Sequence, residues 1–121
     1  MALKKDSHIL LIDDNEDILM MMKAMLGLKG FKVSATGDVE GIESTIRDLE
    51  PDIIIMDMLL GGYDGKEICK QLKTNEEFSP IPVVMLSAHP NGEKECLQAG
   101  ADYFLEKPFE MERLFGIFSA I

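Results

Sequence analysis

Residues 53–57 read Ile53-Ile54-Ile55-Met56-Asp57. An apolar run without alternation suits a strand covered on both faces, as in a parallel sheet with helices above and below it. The run stops at a carboxylate. The same pattern lies upstream, where His8 to Ile12 is followed by Asp13 and Asp14. It recurs downstream, where Val83 to Leu86 leads into Ser87 and Ala88, and Tyr103 to Leu105 is soon followed by Lys107 and Pro108. A fifth run, Phe31 to Thr36, sets Phe31, Val33 and Ala35 against Lys32, Ser34 and Thr36 in strand alternation.

Helix-period segments separate these runs. Asn15 is placed to cap a helix whose first turn carries Glu16 and Asp17, with Ile18, Met22, Met25, Leu26 and Lys29 as its stripe and Gly30 as its stop. Val39, Ile42, Ile46 and Leu49 give a second helix ended by Pro51. Ile68, Cys69 and Leu72 mark a third. Gly92 to Ala99 reads as a short fourth with Gly100 behind it, and Met111, Leu114, Phe118 and Ile121 as a fifth. Five strands alternating with five helices imply an α/β chain of (βα)5 type, a doubly wound five-stranded parallel sheet. The 121 residues fit one domain, taken as 1–121, large enough to bury a core without disulfides.

Composition narrows the function classes. A net charge of -10 argues against a nucleic-acid or anionic-membrane surface, which needs clustered Lys and Arg. Cys69 and Cys96 form no C-x-x-C pair and read as reduced small hydrophobes, which points to the cytoplasm. No apolar run is long enough to span a membrane. The N-terminal stretch MALKKDSHILLIDD is too short in its apolar part for a secretory leader and runs into carboxylates.

A parallel sheet brings the carboxyl ends of its strands to one edge, where ligands bind. Asp13, Asp14, Asp57, Ser87 and Lys107 then share one neighbourhood. Three carboxylates so close repel unless a cation joins them, and hard oxygen ligands suit Mg²⁺. Lys107 adds a positive charge and Ser87 a donor for phosphoryl oxygens. Asp57, on the middle strand, is the candidate nucleophile. Singly, each has a bland reading: Asp13-Asp14 as a helix cap, Asp57 as a strand end, Ser87 as a loop residue, Lys107 as a solvated charge. Their joint placement at four strand ends is hard to obtain by coincidence.

The series Ile12-Asp13-Asp14-Asn15, Met56-Asp57-Met58, Asp64-Gly65, Leu86-Ser87-Ala88 and Lys107-Pro108-Phe109 resembles the receiver domain of two-component response regulators, of the chemotaxis-regulator-like kind. The likeness covers nearly the whole chain in order and spacing, and implies a flavodoxin-like fold. It implies that Asp57 accepts a phosphoryl group, and that Mg²⁺ is held by Asp13, Asp14, Asp57 and the backbone carbonyl of Leu59. It implies switch roles for Ser87 and Phe104, pairing of Lys107 with the phosphoryl group, and a cis Lys107–Pro108 bond. The implied donor is a histidine kinase or histidine phosphotransfer protein. The implied output is a protein target on the fourth helix, fifth strand and fifth helix, or a phosphorylation-dependent dimer. No direct nucleic-acid or membrane contact is implied.

Two departures stand out. The family's loop proline is replaced in Leu60-Gly61-Gly62, which predicts a looser loop. Leu59 cannot guide an attacking water, which predicts slow loss of the phosphoryl group, while His89 reads by default as an exposed loop histidine. An aspartyl phosphohydrolase resembling the haloacid dehalogenase group would need an acid where Leu59 stands. A nucleotide-binding turn would need G-x-G-x-x-G where Asp13 to Asp17 stand. A receiver used only as a binding module would be expected to lack some of these residues, and all are present. No effector segment follows Ile121, so the expectation is either a single-domain regulator or a receiver taken from a longer DNA-binding regulator or hybrid kinase.

Overall fold

The computed structural model describes residues 3–121; Met1 and Ala2 of the basic N-terminal stretch lie outside the described residues. The chain alternates β1 (His8–Ile12), α1 (Glu16–Leu28), β2 (Lys32–Thr36), α2 (Ile42–Leu49), β3 (Ile53–Asp57), α3 (Gly65–Thr74), β4 (Val83–Ser87), α4 (Gly92–Gln98), β5 (Tyr103–Glu106) and α5 (Met111–Ala120). Between β3 and α3 lies a small antiparallel hairpin, Leu59–Leu60 with Tyr63–Asp64. The main sheet is parallel throughout, in the order β2-β1-β3-β4-β5.

The apolar runs explain why this sheet has two cores. Successive side chains point to opposite faces. Leu10, Ile12, Ile54, Met56, Val83 and Met85 therefore pack on one side with Ile46, Leu72 and Cys96 from α2, α3 and α4. Ile9, Leu11, Ile53, Ile55, Val84 and Leu86 pack on the other with Met22, Leu26, Leu114 and Phe118 from α1 and α5. Burying one such aliphatic side chain is worth about 1.5–3 kcal/mol, so the three central strands anchor the domain. The polar start of β1 is satisfied, since the ring nitrogens of His8 meet the Leu49 carbonyl at 2.9 Å and the Ser34 hydroxyl at 2.7 Å.

Caps follow the local sequence. The Asn15 side chain accepts from the amides of Asp17 and Ile18 at 3.0 and 3.2 Å, and Asp64 caps α3 by accepting from Lys66 N–H at 2.9 Å. The edge strand β2 departs from the alternation expected of it. Phe31 falls outside the strand, Ala35 is exposed and Ser34 is half-buried, because an edge strand is only partly covered and His8 draws Ser34 inward. On α1 the expected stripe is shorter than its pattern: Met22 and Leu26 are buried, while Met25 remains 38% exposed. Strand order reverses about β1 and β3, which opens a crevice beyond their carboxyl ends.

Candidate functional site

Three charged side chains meet at that crevice. Asp13 follows β1 and is buried, Asp57 closes β3, and Lys107 follows β5. The Lys107 ammonium forms an ion pair with Asp57 Oδ2 and lies 3.7 Å from Asp13 Oδ2. The other oxygens are tied to nearby backbone. Asp13 Oδ1 accepts from the Asn15 amide at 3.0 Å, and Asp57 Oδ1 from the Leu59 amide at 3.1 Å. Asp13 Oδ2 is buried without a hydrogen bond. Burial pushes the Asp13 carboxyl above its ordinary range. The Asn15 amide opposes that, the Asp57 charge reinforces it and Lys107 opposes it again.

The strands reach into the site further than their apolar runs. The Met58 amide donates to the Leu86 carbonyl at 2.9 Å, and the Lys107 amide to the Ser87 carbonyl at 2.9 Å. These ladder bonds fix where Asp57 and Lys107 leave the sheet. The Lys107–Pro108 peptide is cis. Ser87 is buried at the end of β4, and its hydroxyl accepts from the His89 amide at 2.9 Å. His89 is itself exposed, and its Nδ1 lies 3.6 Å from Glu95. Phe104 is half-buried against the core beneath α4.

Asp14 stands apart from the other two carboxylates. It is exposed, and its Oδ2 accepts from the Gly61 amide at 2.8 Å. The loop that holds Gly61 and Gly62 forms the hairpin. Leu60 is buried, the Tyr63 hydroxyl donates to Glu40 at 2.9 Å, and Gly61 holds Asp14. Gly62, at φ 85°, supplies the left-handed turn. Leu59 points outward and is 64% exposed.

Among the described residues no three His, Cys, Asp or Glu side chains converge closely enough to hold a metal together. Asp14 turning to Gly61 accounts for this. The chemistry of the donors nevertheless fits a hard divalent cation. Asp13 and Asp57 meet a single ammonium, so the cluster retains excess negative charge, and Asp13 keeps a buried oxygen with no donor.

Two glycines belong to the site although no sequence motif marks their role. A Cβ at Gly65 would sit 2.8 Å from the Met58 carbonyl oxygen and closer still to that of Asp57. A Cβ at Gly92 would sit 2.9 Å from the Ser87 hydroxyl and 3.2 Å from the Phe104 ring. Only the pattern Asp64-Gly65 hinted at the first. A groove of about 870 Å³ between α1 and α5 adjoins the site at Lys107 and Pro108, lined by Met21, Met25, Met111 and Phe115, but Asp57 does not line it.

Comparison with known proteins agrees with this geometry. The family model for the response regulator receiver domain matches residues 9–119. The DNA-binding response regulator MtrA of Mycobacterium tuberculosis is 32% identical over 109 residues, covering 88% of this chain and 46% of the relative. The hybrid signal transduction histidine kinase D of Dictyostelium discoideum is 34% identical over 108 residues, covering 88% of this chain and 7% of that protein. The chain thus spans less than half the length of the curated relatives it matches. A crystal structure of a putative response regulator from Chloroflexus aurantiacus superposes with a TM-score of 0.84 at 28% identity, covering 94% of this chain and 98% of that one. The chemotaxis protein CheY4 of Vibrio cholerae gives 0.81 at 26%, covering 92% and 94%. With the fold, its crevice and the match along nearly its whole length in agreement, the chain belongs to the response regulator receiver domain family, the signalling switches of two-component phosphorelays.

Proposed function

We propose that Asp57 is the phosphoryl-accepting residue of this receiver and that a phosphohistidine on a histidine kinase or phosphotransfer protein is the donor. The observation that carries this reading is the ion pair of Lys107 with Asp57, beside the buried Asp13, at the reversal of strand order. A carboxylate oxygen of Asp57 attacks phosphorus, the P–N bond breaks, and its electron pair returns to the imidazole of the donor. Lys107 is within reach of both the carboxylate and the transferred group, so it exchanges part of its pairing with Asp57 for a phosphoryl oxygen. Mg²⁺, held by Asp13, Asp14, Asp57 and the Leu59 carbonyl, supplies charge neutralisation when bound. The protein acts only on its own phosphorylation and dephosphorylation. Leu59 offers an attacking water no hydrogen-bonding group, which slows the second.

Ser87 donates its hydroxyl to the phosphoryl group after leaving the His89 amide. Ser87 and Phe104 both border the space that a Cβ at Gly92 would occupy, which supports a coupled movement of the two. The resulting population shift alters the surface of α4, β5 and α5, where a target protein or a second receiver docks. Two relatives of this chain are a DNA-binding regulator and a hybrid kinase, so an attached effector is the second source of output. The cytoplasm is the compartment proposed, since its donor chemistry resides there and both cysteines are free.

Intact-protein mass after incubation with acetyl phosphate and Mg²⁺ tests the reading. The expected result is a gain of one phosphoryl group, abolished by Asp57→Asn and by EDTA. Uptake that survives Asp57→Asn overturns it.

A further inference from the structure

Gly61 is a glycine for a reason its backbone does not supply. Gly30, Gly41, Gly62 and Gly100 occupy the left-handed region, and Gly61 does not. Its conformation is open to other residues. What distinguishes Gly61 is its contact with Asp14. The amide donates to Asp14 Oδ2 at 2.8 Å across 47 positions of sequence, and a Cβ would lie 2.9 Å from that same oxygen. Glycine therefore provides both the donor and the clearance that lets the carboxylate reach it. A proline here would remove the donor altogether.

The bond places Asp14 away from the other acids. Asp13 and Asp57 share Lys107, and Asp14 joins neither. A third carboxylate beside that pair would add repulsion that one ammonium cannot offset. The hairpin amide gives Asp14 a partner elsewhere. We infer that Gly61 is a positioning residue whose amide competes with a divalent cation for Asp14, so that cation binding and release of the hairpin from β1 are one event. The hairpin keeps its other two anchors, buried Leu60 and the Tyr63–Glu40 hydrogen bond, so release is confined to its tip. This inference rests on the proposed metal ligands.

The test uses the whole chain and Mg²⁺ alone, followed through backbone amide resonances. Addition of Mg²⁺ to the wild type is expected to shift the Gly61 amide as its carboxylate partner departs, and to speed its hydrogen exchange. Gly61→Pro, which has no amide hydrogen, is expected to bind Mg²⁺ about three- to ten-fold more tightly, the range for one ordinary net hydrogen bond, since this one is exposed to solvent. Gly61→Ala is the second variant, because its methyl displaces the carboxylate without constraining the backbone, and it is expected to move in the same direction. Wild-type binding with an unmoved Gly61 amide, or with equal or weaker affinity in the folded variants, overturns the inference. If Mg²⁺ leaves the resonances of Asp13, Asp57 and Lys107 unmoved in every form, the metal-ligand reading itself fails.

Discussion

Adding one methyl group at Gly65 should damage the domain, while the same group at Gly27 should stabilise it. At Gly65 a Cβ meets the carbonyl oxygens of Asp57 and Met58, the latter at 2.8 Å, and the Met58 carbonyl carbon at 3.1 Å. All three are backbone atoms and cannot turn aside. The Gly65 amide also donates to the Met58 carbonyl at 2.8 Å, so opening the contact strains that hydrogen bond. Overpacking costs about 1–3 kcal/mol and the weakened hydrogen bond about 1 kcal/mol more, for a total of roughly 2–4 kcal/mol. For 121 residues the entropy of unfolding converts 1 kcal/mol into about 4 °C, so Gly65→Ala should lower Tm by about 8–16 °C. At Gly27, on the exposed side of α1, nothing lies within 4 Å of the added carbon. There the helix-propensity gain of about 0.8–1 kcal/mol should raise Tm by about 3–4 °C. Thermal unfolding followed by far-ultraviolet circular dichroism reads both. A Gly65→Ala protein melting within 2 °C of wild type, or two variants moving in the same direction, would refute the steric argument.

Two further predictions concern titratable groups. Burial holds the Asp13 carboxyl above its ordinary 3.8, so the unfolded chain gives up this proton first and Asp13 lowers stability as pH rises from about 3.8 through the folded value. Asp13→Asn should therefore melt higher at pH 7 and bind Mg²⁺ more weakly; the gain should shrink as pH falls toward 4, and a gain independent of pH would count against the argument. Burial pushes the thiols of Cys69 and Cys96 up to about 11 from an ordinary 9.0, which leaves about a hundredth of the usual thiolate at pH 8. Reaction with a thiol reagent should be at least about 100-fold slower in the folded chain than in urea, and equal rates would show that the helices α3 and α4 do not cover them.

The central strands were legible because their residues are buried on both faces and need no polar alternation. His8–Ile12 matches its run residue for residue. Met56 and Leu86 end the apolar runs of β3 and β4, yet each strand extends one residue further, to Asp57 and Ser87, because the ladder persists where the side chains turn polar. Edge strand β2 was less legible, since solvent on its outer side removes the pressure that alternation reports. In the site, Asp13, Asp57 and Lys107 could be grouped from the sequence, because a parallel sheet brings their strand ends to one edge. Asp14 could not. Its neighbour in sequence shares its chemistry, and only the hairpin amide, 47 residues away, separates their fates. The roles of Gly61, Gly65 and Gly92 were hidden for a related reason, since clearance around a missing Cβ is a property of packing and leaves no periodicity.

Lys107 shows why the two ends of the proposed switch must respond together. Its backbone amide completes the ladder with Ser87, while its side chain spans Asp57 and Asp13. In the proposed transfer, a phosphoryl group on Asp57 would add negative charge there, strengthen the pull on the ammonium and leave Asp13, already disfavoured as a buried anion, with less compensation. A second cation beside Asp13 would restore that compensation. Charge added at one strand end would thus be felt at β1 through Asp13 and at β4 and β5 through the strand ends that Lys107 joins. The backbone between Ser87 and α4 is short, and Gly92 brings the first turn of α4 against both Ser87 and Phe104. In the proposed switch, a rotation of the Ser87 hydroxyl toward the phosphoryl group would ease that contact, beside which the Phe104 ring lies. The proposed path from charge to surface thus runs through one shared ammonium and one glycine-wide gap.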